Sequence, residues 1–328
     1  MINAGAFRRR LLNWYDGNKR DLPWRESTDF YRVWISEIML QQTRVEAVIP
    51  YFHRFLRRFP SLEALAGAPE ADVLTAWSGL GYYSRARNLH KAAKTVVAAG
   101  LPASYDEIRA LPGIGPYTAA AIASIVFGEA HAAVDGNVVR VVSRLTNGSG
   151  EASKEAARLL DTRRPGDFNQ AMMELGATVC GPRTPRCEDC PVLALCAGRA
   201  AGRERELPVK TAKPAARDVS LDLLILMKKN AVFLIRRDLS EKRLAGFYEL
   251  PELKHFPEIK TEPAGSFRHR IVNDRFLVRI WRAAARGKSA SKGYWLTAEQ
   301  LTEIPLTTIA RKALHSVHNL SGGAALDY

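Results

Sequence analysis

The four cysteines of this 328-residue chain all lie in one short stretch, CGPRTPRCEDCPVLALC (residues 180–196), separated by six, two and five residues. The N-terminus, MINAGAFRRRLLNWYDGNKR, holds no apolar run long enough for a signal peptide, so we expect a cytoplasmic protein whose thiols stay reduced. Clustered thiols in a reducing compartment are typical of a metal site. The stretch therefore predicts bound metal rather than disulfides.

The chain is strongly basic, with a formal net charge of +14 and a pI of about 9.8. An excess of this size indicates a polyanionic partner. The sequence shows no amphipathic basic helix, lipidation signal or apolar stretch of membrane-spanning length, so we expect no membrane association. Nucleic acid is the predicted partner, and in a bacterium the protein would associate with the nucleoid.

The hydrophobic pattern changes once along the chain. Residues 1–197 show helical periodicity, as in DFYRVWISEIMLQQ, and ASKEAARLL begins another helix with Ser153 as a candidate cap. Residues 198–218 are rich in Ala, Arg, Lys and Pro, which is typical of a linker. Residues 219–328 hold apolar runs around Lys228–Asn230, a β-hairpin signal, and a closing helical segment. We predict a multidomain protein with an all-α domain, a linker and an α+β domain.

Residues 111–120, LPGIGPYTAA, predict a tight turn between two helices. Gly113 and Gly115 would give the turn its backbone freedom, and the amides at the start of the second helix could donate hydrogen bonds to a phosphate. The alternative is a plain helix-to-helix turn, since a lone Gly-x-Gly is a weak signal of phosphate binding. The ordered set of Leu, Pro, Gly, Ile and Gly followed by Thr-Ala resembles the helix-hairpin-helix motif that grips the DNA backbone.

The stretch AVDGNVVRV places Asp135 and Asn137 at the start of a helical segment, about twenty residues beyond that turn. An acid at this position is by itself typical of a helix N-cap. The order of the turn, the Asp and the spaced cysteines resembles the endonuclease III superfamily of DNA glycosylases. Zinc sites usually hold two Cys-x-x-Cys pairs, and here only one pair is so spaced. The resemblance implies one [4Fe–4S] cluster, with the ligands Cys180, Cys187, Cys190 and Cys196.

Residues 22–45, LPWRESTDFYRVWISEIMLQQTRV, resemble the adenine glycosylase (MutY) branch, in which the Glu of the SEIMLQQT run is the catalytic acid. The matching residue is Glu37, and its apolar neighbours would raise its pKa as a general acid at neutral pH requires. Bifunctional members of the superfamily carry a lysine at the position of Tyr117, and a phenol cannot form their Schiff base. The resemblance therefore implies a glycosylase without strong strand-cleaving activity.

The same resemblance implies a mechanism. An adenine flipped out of the duplex is protonated by Glu37, at N7, while Asp135 stabilises the sugar cation or bonds to it transiently. Tyr117 and Asn137 would support that intermediate. Gln42 and Tyr82 would enter the duplex beside the opposing base. The full set of implied contacts to adenine or DNA in this region is Trp24, Arg25, Leu40, Gln42, Thr43, Tyr82, Gly113, Gly115 and Gln170.

Residues 243–252, RLAGFYELPE, resemble a stretch of the Nudix-like domain that recognises 8-oxoguanine opposite the adenine. The sequence has no Nudix box, so we expect binding without pyrophosphatase activity. The family's damage-reading loop is usually Phe-Ser-His, whereas this chain has Phe267, Arg268 and His269. Serine can accept from the N7–H of 8-oxoguanine but arginine only donates, so we expect weaker discrimination between A:8-oxoguanine and A:G. The alternative is that Arg268 turns toward a phosphate and that His269 or a main-chain group recognises the lesion.

The implied partner is double-stranded DNA carrying an A:8-oxoguanine or A:G mispair, bound by a monomer. One alternative is a mismatch thymine or uracil glycosylase, which would share the cluster, Asp135 and a tyrosine at position 117. Another is a non-catalytic iron–sulfur DNA-binding protein. Glu37 within the SEIMLQQT run and the C-terminal domain argue against the first, and the presence of both carboxylates argues against the second.

Overall fold

A computed structural model of the chain describes residues 2–209, 215–241, 244–271, 273–285 and 293–318. The chain divides into two units. The first contains the described residues up to Gly67 and from Asn88 to Val209, so it includes the first part of the predicted 198–218 linker. The second contains Ala68–Arg87 together with the described residues from Ala215 onward, so the predicted linker is divided between the two units.

Helices dominate the chain before the linker. In order they are α1 (Ala4–Asn18), α2 (Phe30–Leu40), α3 (Val45–Arg58), α4 (Leu62–Gly67), α5 (Glu70–Trp77), α6 (Ser84–Ala99), α7 (Tyr105–Ala110), α8 (Pro116–Val126), α9 (Gly136–Leu145), α10 (Ala152–Leu159), α11 (Pro165–Thr178) and α12 (Ala197–Ala200). Of these, α5 and the start of α6 belong to the second unit.

Side-chain caps determine where several of these helices begin. Each capping side chain accepts a hydrogen bond of 2.8 to 3.3 Å from the backbone N–H three residues on, which satisfies an amide that the helix itself leaves unpaired. The caps are Asn3 of α1, Asp29 of α2, Ser104 of α7 and Asp135 of α9. The prediction that Ser153 caps α10 is wrong: the helix begins at Ala152, and the Ser153 hydroxyl donates to Glu151 Oε1 at 2.6 Å.

One hydrophobic core of the first unit lies between α1, α9, α10 and α11. Phe7 and Phe168 meet edge to face at its centre, with ring centroids 6.1 Å apart, and both are fully buried. Cys180, Cys190 and Cys196 pack against the same core. The core therefore fixes α9 and α11 relative to the cysteine loop.

The second unit is built on a six-stranded mixed sheet. Its strands are β1 (Arg217–Lys228), β2 (Ala231–Arg236), β3 (Tyr248–Glu249), β4 (Glu262–Ile271), β5 (Asp274–Ala284) and β6 (Tyr294–Thr297). Their order is β3-β2-β1-β5-β4, and β6 also pairs with β2. Strands β1 and β5 run parallel, and the other pairs are antiparallel. Helices α13 (Ala298–Thr302) and α14 (Thr308–His318) follow the sheet.

Both faces of the sheet are covered by apolar side chains. Leu223 and Ile225 of β1 face the core shared with α13 and α14, whereas Leu224 and Leu226 face the core around Phe256. Successive side chains of a strand point to opposite faces, so a strand buried on both faces is a continuous apolar run. This explains the stretch LLILM in β1.

The predicted order of a helical region followed by an α+β region is confirmed. The predicted hairpin is also confirmed, since Met227 pairs with Val232 and Lys228 with Ala231. The grouping of Ala68–Arg87 with the sheet-bearing unit was not predicted. Among the described residues, no helix combines the length and apolar character needed to cross a membrane.

Candidate active site

Glu37 is a buried acid on α2. Its Oε2 accepts a hydrogen bond of 3.0 Å from the Tyr117 hydroxyl, which also lies 3.2 Å from Met173 Sδ. Burial raises the pKa of Glu37 to about 7; the Tyr117 hydrogen bond opposes this rise, and Asp135 adds to it. The side chain can therefore carry a proton at neutral pH, as predicted for a general acid.

Asp135 is the N-cap of α9, and it faces the same cavity as Glu37. Its Oδ1 accepts from the Val138 backbone N–H at 2.8 Å, and its Oδ2 accepts from Asn137 Nδ2 at 2.7 Å. Asp135 can therefore be both the N-cap of α9 and a site carboxylate, because the capping hydrogen bond holds its side chain in one orientation.

The two acids line one cavity of about 280 Å³ in the first unit. Its volume is close to the lower end of the range, about 300 Å³, that small-molecule sites usually occupy. Most of the predicted site residues from this unit are brought together there. Those lining the cavity are Trp24, Arg25, Glu37, Leu40, Thr43, Tyr117, Asp135, Asn137 and Gln170.

Arg25 is held in the cavity wall by three acceptors. It donates to Gln170 Oε1 at 3.1 Å, to the Arg20 carbonyl at 3.0 Å and to Glu174 Oε2 at 2.8 Å. Arg20 pairs with the same Glu174 carboxylate at 2.6 Å. Burial alone would raise the pKa of Glu174, but the hydrogen bonds from Arg20 and Arg25 outweigh it and lower that pKa. Glu174 is therefore a buried anion with two cationic partners.

Arg20, Glu174 and Met173 line this cavity but were not predicted from the sequence. A signal was available for one of them. Glu174 is a charged residue in the apolar stretch AMMELGA, four positions after Gln170 and so on the same face of α11. Arg20 and Glu174 are 154 residues apart in sequence, so no local sequence pattern predicts their pairing.

Hydrogen bonds connect the cavity to the cysteine loop. Asn137 Oδ1 accepts from Arg140 Nη2 at 2.8 Å, and Arg140 Nε donates to the Cys180 carbonyl at 2.8 Å. Helices α9 and α11 approach closely here, because a Cβ added to Gly176 would lie 2.6 Å from the Asn137 Cβ. The position of Asn137 thus depends on both the loop and the helix contact.

The four cysteines lie in a loop of short turns between α11 and α12. All four are partly buried free thiols, and Cys180 is close enough to each of the other three to influence its ionisation. The fully buried Arg144 donates to Cys180 Sγ at 3.2 Å and to the Gly181 carbonyl at 2.8 Å. In the part of the chain that the structure describes, no three His, Cys, Asp or Glu side chains are spaced for a single metal ion.

The predicted helix-hairpin-helix turn lies between α7 and α8. Gly113 has a φ of +79°, and a Cβ there would lie 2.5 Å from the Asn88 Cβ, so the position requires glycine. Gly115 is the N-cap of α8 and is followed by Pro116, which leaves the first amides of α8 without a capping side chain. These amides are suited to bind a phosphate.

The remaining predicted residues lie outside the cavity wall. Gln42 is exposed on the turn after α2 with a φ of +56°. Tyr82 belongs to the second unit and is half-exposed. These positions do not contradict the predicted roles beside the opposing base, which stay predictions.

Phe267, Arg268 and His269 form part of strand β4, so the prediction that they form a loop is wrong. The alternation of the strand separates them. Phe267 packs on the core shared with α14 and His269 Nδ1 lies 3.3 Å from Lys312 Nζ, whereas Arg268 is exposed on the opposite face. If these residues recognise the damaged base, Arg268 would act from one face of the sheet, and Phe267 and His269 from the other.

Comparison with known proteins places this site in a family. Residues 35–164 match the HhH-GPD superfamily of base excision DNA repair proteins. The adenine DNA glycosylase of Rattus norvegicus is 47% identical over 60% of this chain and 42% of its own length. That of Buchnera aphidicola subsp. Acyrthosiphon pisum is 34% identical over 77% of this chain and 75% of its own. A solved thermostable thymine-DNA glycosylase, 29% identical, matches 60% of this chain and 97% of its own with a TM-score of 0.56.

The coverage differs between these relatives. The chain spans less than half the length of the mammalian adenine DNA glycosylases it matches, at 42%, 41% and 47%. It spans three quarters of the Buchnera relative. The match to the thymine-DNA glycosylase structure extends over nearly all of that shorter chain.

Proposed function

The chain belongs to the adenine DNA glycosylase family of HhH-GPD proteins, and we propose that it removes adenine mispaired with 8-oxoguanine or guanine from duplex DNA. The observation that carries this proposal is the pair of carboxyl groups, Glu37 and Asp135, in one cavity. Glu37 is buried with a pKa raised to about 7, and Asp135 accepts two N–H hydrogen bonds. Carboxyl groups in such different environments divide the acid and stabilising roles across a glycosidic bond.

Glu37 supplies the proton that makes adenine a leaving group. An adenine flipped from the stack enters the cavity, and the Glu37 carboxyl protonates it at N7. The bond between the sugar C1′ and adenine N9 then breaks, and its electron pair leaves with the base. Arg25 holds Gln170 Oε1, which leaves the amide N–H₂ of Gln170 to donate to an acceptor on the base edge.

Asp135 stabilises the cation that the departing base leaves on the sugar. Its carboxylate is fixed by the cap to Val138 and by Asn137, so it needs no reorientation as positive charge develops. Water then adds its oxygen to C1′ and gives its proton to the Glu37 carboxylate, which restores the acid and completes the hydrolysis. Tyr117 has no amine with which to form a Schiff base, so the DNA strand stays intact.

The cysteine loop has the donors that a [4Fe–4S] cluster needs, since Cys180, Cys187, Cys190 and Cys196 are mutually close thiols. Burial raises the pKa of Cys190 to about 12, so a set of thiolates here requires positive charge from bound metal. Cys180, Cys187, Cys190 and Cys196 would hold the cluster, which would cross-link the loop. The loop then presents the exposed Arg183 to DNA phosphates.

The sheet-bearing unit reads the base opposite the adenine. The exposed Arg268 is a donor that suits N7 of undamaged guanine, and it carries a charge that attracts any duplex. His269 on the other face lies beside Lys312, and burial together with that lysine lowers its pKa. Arg268 thereby reduces the preference for A:8-oxoguanine over A:G.

A single-turnover assay tests these roles together. Duplexes carrying A:8-oxoguanine, A:G and T:G are incubated with the full chain and with Glu37→Gln. We expect release of adenine from the first two, no release from T:G and no release by the variant. Thymine release instead would favour the mismatch thymine glycosylase, and no release at all would favour a non-catalytic DNA-binding protein. Arg268→Ser should raise the ratio of A:8-oxoguanine to A:G excision.

A further inference from the structure

Tyr82, in the second unit, has a left-handed backbone conformation. Its φ of +49° is in the left-handed region, which residues with a side chain rarely adopt, and its ring is 49% exposed. We call residues 78–83 the Tyr82 turn. This conformation costs free energy in a residue with a side chain, so it persists only where the surrounding structure holds it. The contacts of the turn should therefore show what holds it.

A cation lies beside the Tyr82 ring. The Arg85 guanidinium carbon is 5.5 Å from the ring centroids of both Tyr82 and Trp77. Arg85 Nη2 donates to the Leu80 and Gly81 carbonyls at 3.3 Å, which fixes the guanidinium against the turn. A half-exposed aromatic ring supported in this way is a platform on which a nucleic-acid base can stack.

The turn is anchored by residues from beyond the linker. Arg311 of α14 donates through Nη1 to the Ser78 carbonyl at 2.9 Å and through Nη2 to the Ser78 hydroxyl. The ring of Tyr83 packs on the fully buried Phe247 with centroids 4.2 Å apart. Both ends of the Tyr82 turn are thus held by the second unit, of which the turn is itself a part.

We propose that Arg311 is a positioning residue for Tyr82. By holding Ser78, it keeps the turn in the geometry that presents the ring for stacking within duplex DNA. The inference rests on the proposed function, because that function supplies the duplex DNA on whose bases the Tyr82 ring would stack. It extends that function, because the sheet-bearing unit then positions the Tyr82 ring as well as recognising the base opposite the adenine.

The first test uses the free protein. Hydrogen exchange of the amides in the Tyr82 turn is compared in the full chain, Arg311→Met, Arg311→Lys and a control, Arg217→Met. Arg217 is an exposed arginine of the same unit, paired with Asp274 at 2.8 Å. Loss of a hydrogen bond from a charged donor should speed exchange in the turn by about tenfold or more in Arg311→Met. Arg311→Lys should restore part of the protection, and the control should match the parent.

The second test is a double-mutant cycle on binding to a duplex with 2-aminopurine beside an A:8-oxoguanine pair. Arg311→Met should weaken binding by about tenfold and reduce the fluorescence change that reports stacking. In a Tyr82→Ala background the same substitution should cost nothing further, since Arg311 acts through Tyr82. Additive losses, or unchanged exchange in the turn, would overturn the proposal. Neither test requires adenine release, so an inactive parent protein would refute the glycosylase function alone.

Discussion

The Tyr117 hydroxyl donates to Glu37 Oε2 at 3.0 Å and thereby opposes the effect of burial on that acid. Burial raises the pKa of Glu37 to about 7, the hydrogen bond lowers it and the nearby Asp135 raises it. Glu37 therefore binds a proton near neutrality, and in the proposed mechanism it can release that proton to the base.

Substitution of Tyr117 by Phe should move the pH dependence of excision. Glu37 must be protonated to act, so the single-turnover rate of the parent should fall as pH rises through about 7. Removal of the hydrogen bond that stabilises the carboxylate should raise the pKa of Glu37 and shift that fall to higher pH. Single-turnover excision rates of the parent and of Tyr117→Phe, measured from about pH 5 to about pH 9, test this shift. An unmoved profile would show that the hydroxyl does not tune the acid.

Glu37→Gln and Asp135→Asn should each abolish adenine release while duplex affinity stays within about tenfold of the parent, because binding depends mainly on phosphate contacts. Asparagine is as good an N-cap as aspartate, so Asp135→Asn should leave α9 intact. Asp29→Asn makes the same change at the cap of α2 and is the matched control, expected to stay active. Near-parental rates in Asp135→Asn would assign Asp135 to capping alone.

Glu37 should also make stability depend on pH. The pKa of its carboxyl is raised in the folded protein from 4.5 to about 7, so the folded state binds the proton more tightly. Folding stability is then undiminished below about pH 4.5 and falls as pH rises to about 7, by about 3 kcal/mol. Glu37→Gln should be more stable than the parent at about pH 8 and equal to it at about pH 4.5. Denaturant unfolding at both values measures this, with exposed Glu206→Gln as the control.

Glu174→Ala should destabilise the helical unit by about 3 kcal/mol, because it leaves Arg25 partly buried without its anion. Glu174→Gln should cost less, since the amide oxygen can still accept from one arginine. The control Glu206→Ala removes a surface partner of Arg203 and should change stability by less than about 1 kcal/mol. Thermal unfolding followed by circular dichroism gives the comparison. Equal effects of the Glu174 and Glu206 substitutions would contradict a structural role for the buried pair.

Purified protein should contain about four irons per chain and be yellow-brown. Cys190→Ser should lower both iron content and folded protein, because its side chain packs against the core of α1, α9, α10 and α11. Metal analysis after anaerobic preparation is the measurement. Stoichiometric zinc without iron would contradict the cluster.

The sequence predicted the acids of the site but only part of their surroundings. Glu37 and Tyr117 lie in local motifs, and the fold brings them into contact from α2 and α8. The Arg20–Glu174 pair could not be predicted in this way, because its two members are on separate helices and neither is part of a recognisable motif. Pairing of buried charges is decided by tertiary packing, which a single sequence does not display.

The domain pattern shows a similar limit. Helical periodicity runs through α5 into α6, so the sequence gives no sign that Ala68–Arg87 groups with the sheet-bearing unit. Likewise, the Phe267–His269 triplet was predicted as a loop by resemblance, whereas its pairing with Val278, Leu277 and Phe276 makes it part of a strand. Strand register depends on the partner strand, and the triplet alone contains no information about it.

The close contact between Gly176 and Asn137 limits which residues position 176 can accept. Because a Cβ at position 176 would lie 2.6 Å from the Asn137 Cβ, even alanine would force α9 and α11 apart. The shift would reach Asp135 through its hydrogen bond with Asn137 and the cysteine loop through Arg140. One added methyl group, in a residue that meets neither DNA nor metal, would thus disturb the chemistry and the loop together. Inherited substitutions at such a position would be expected to resemble loss of the active-site residues themselves.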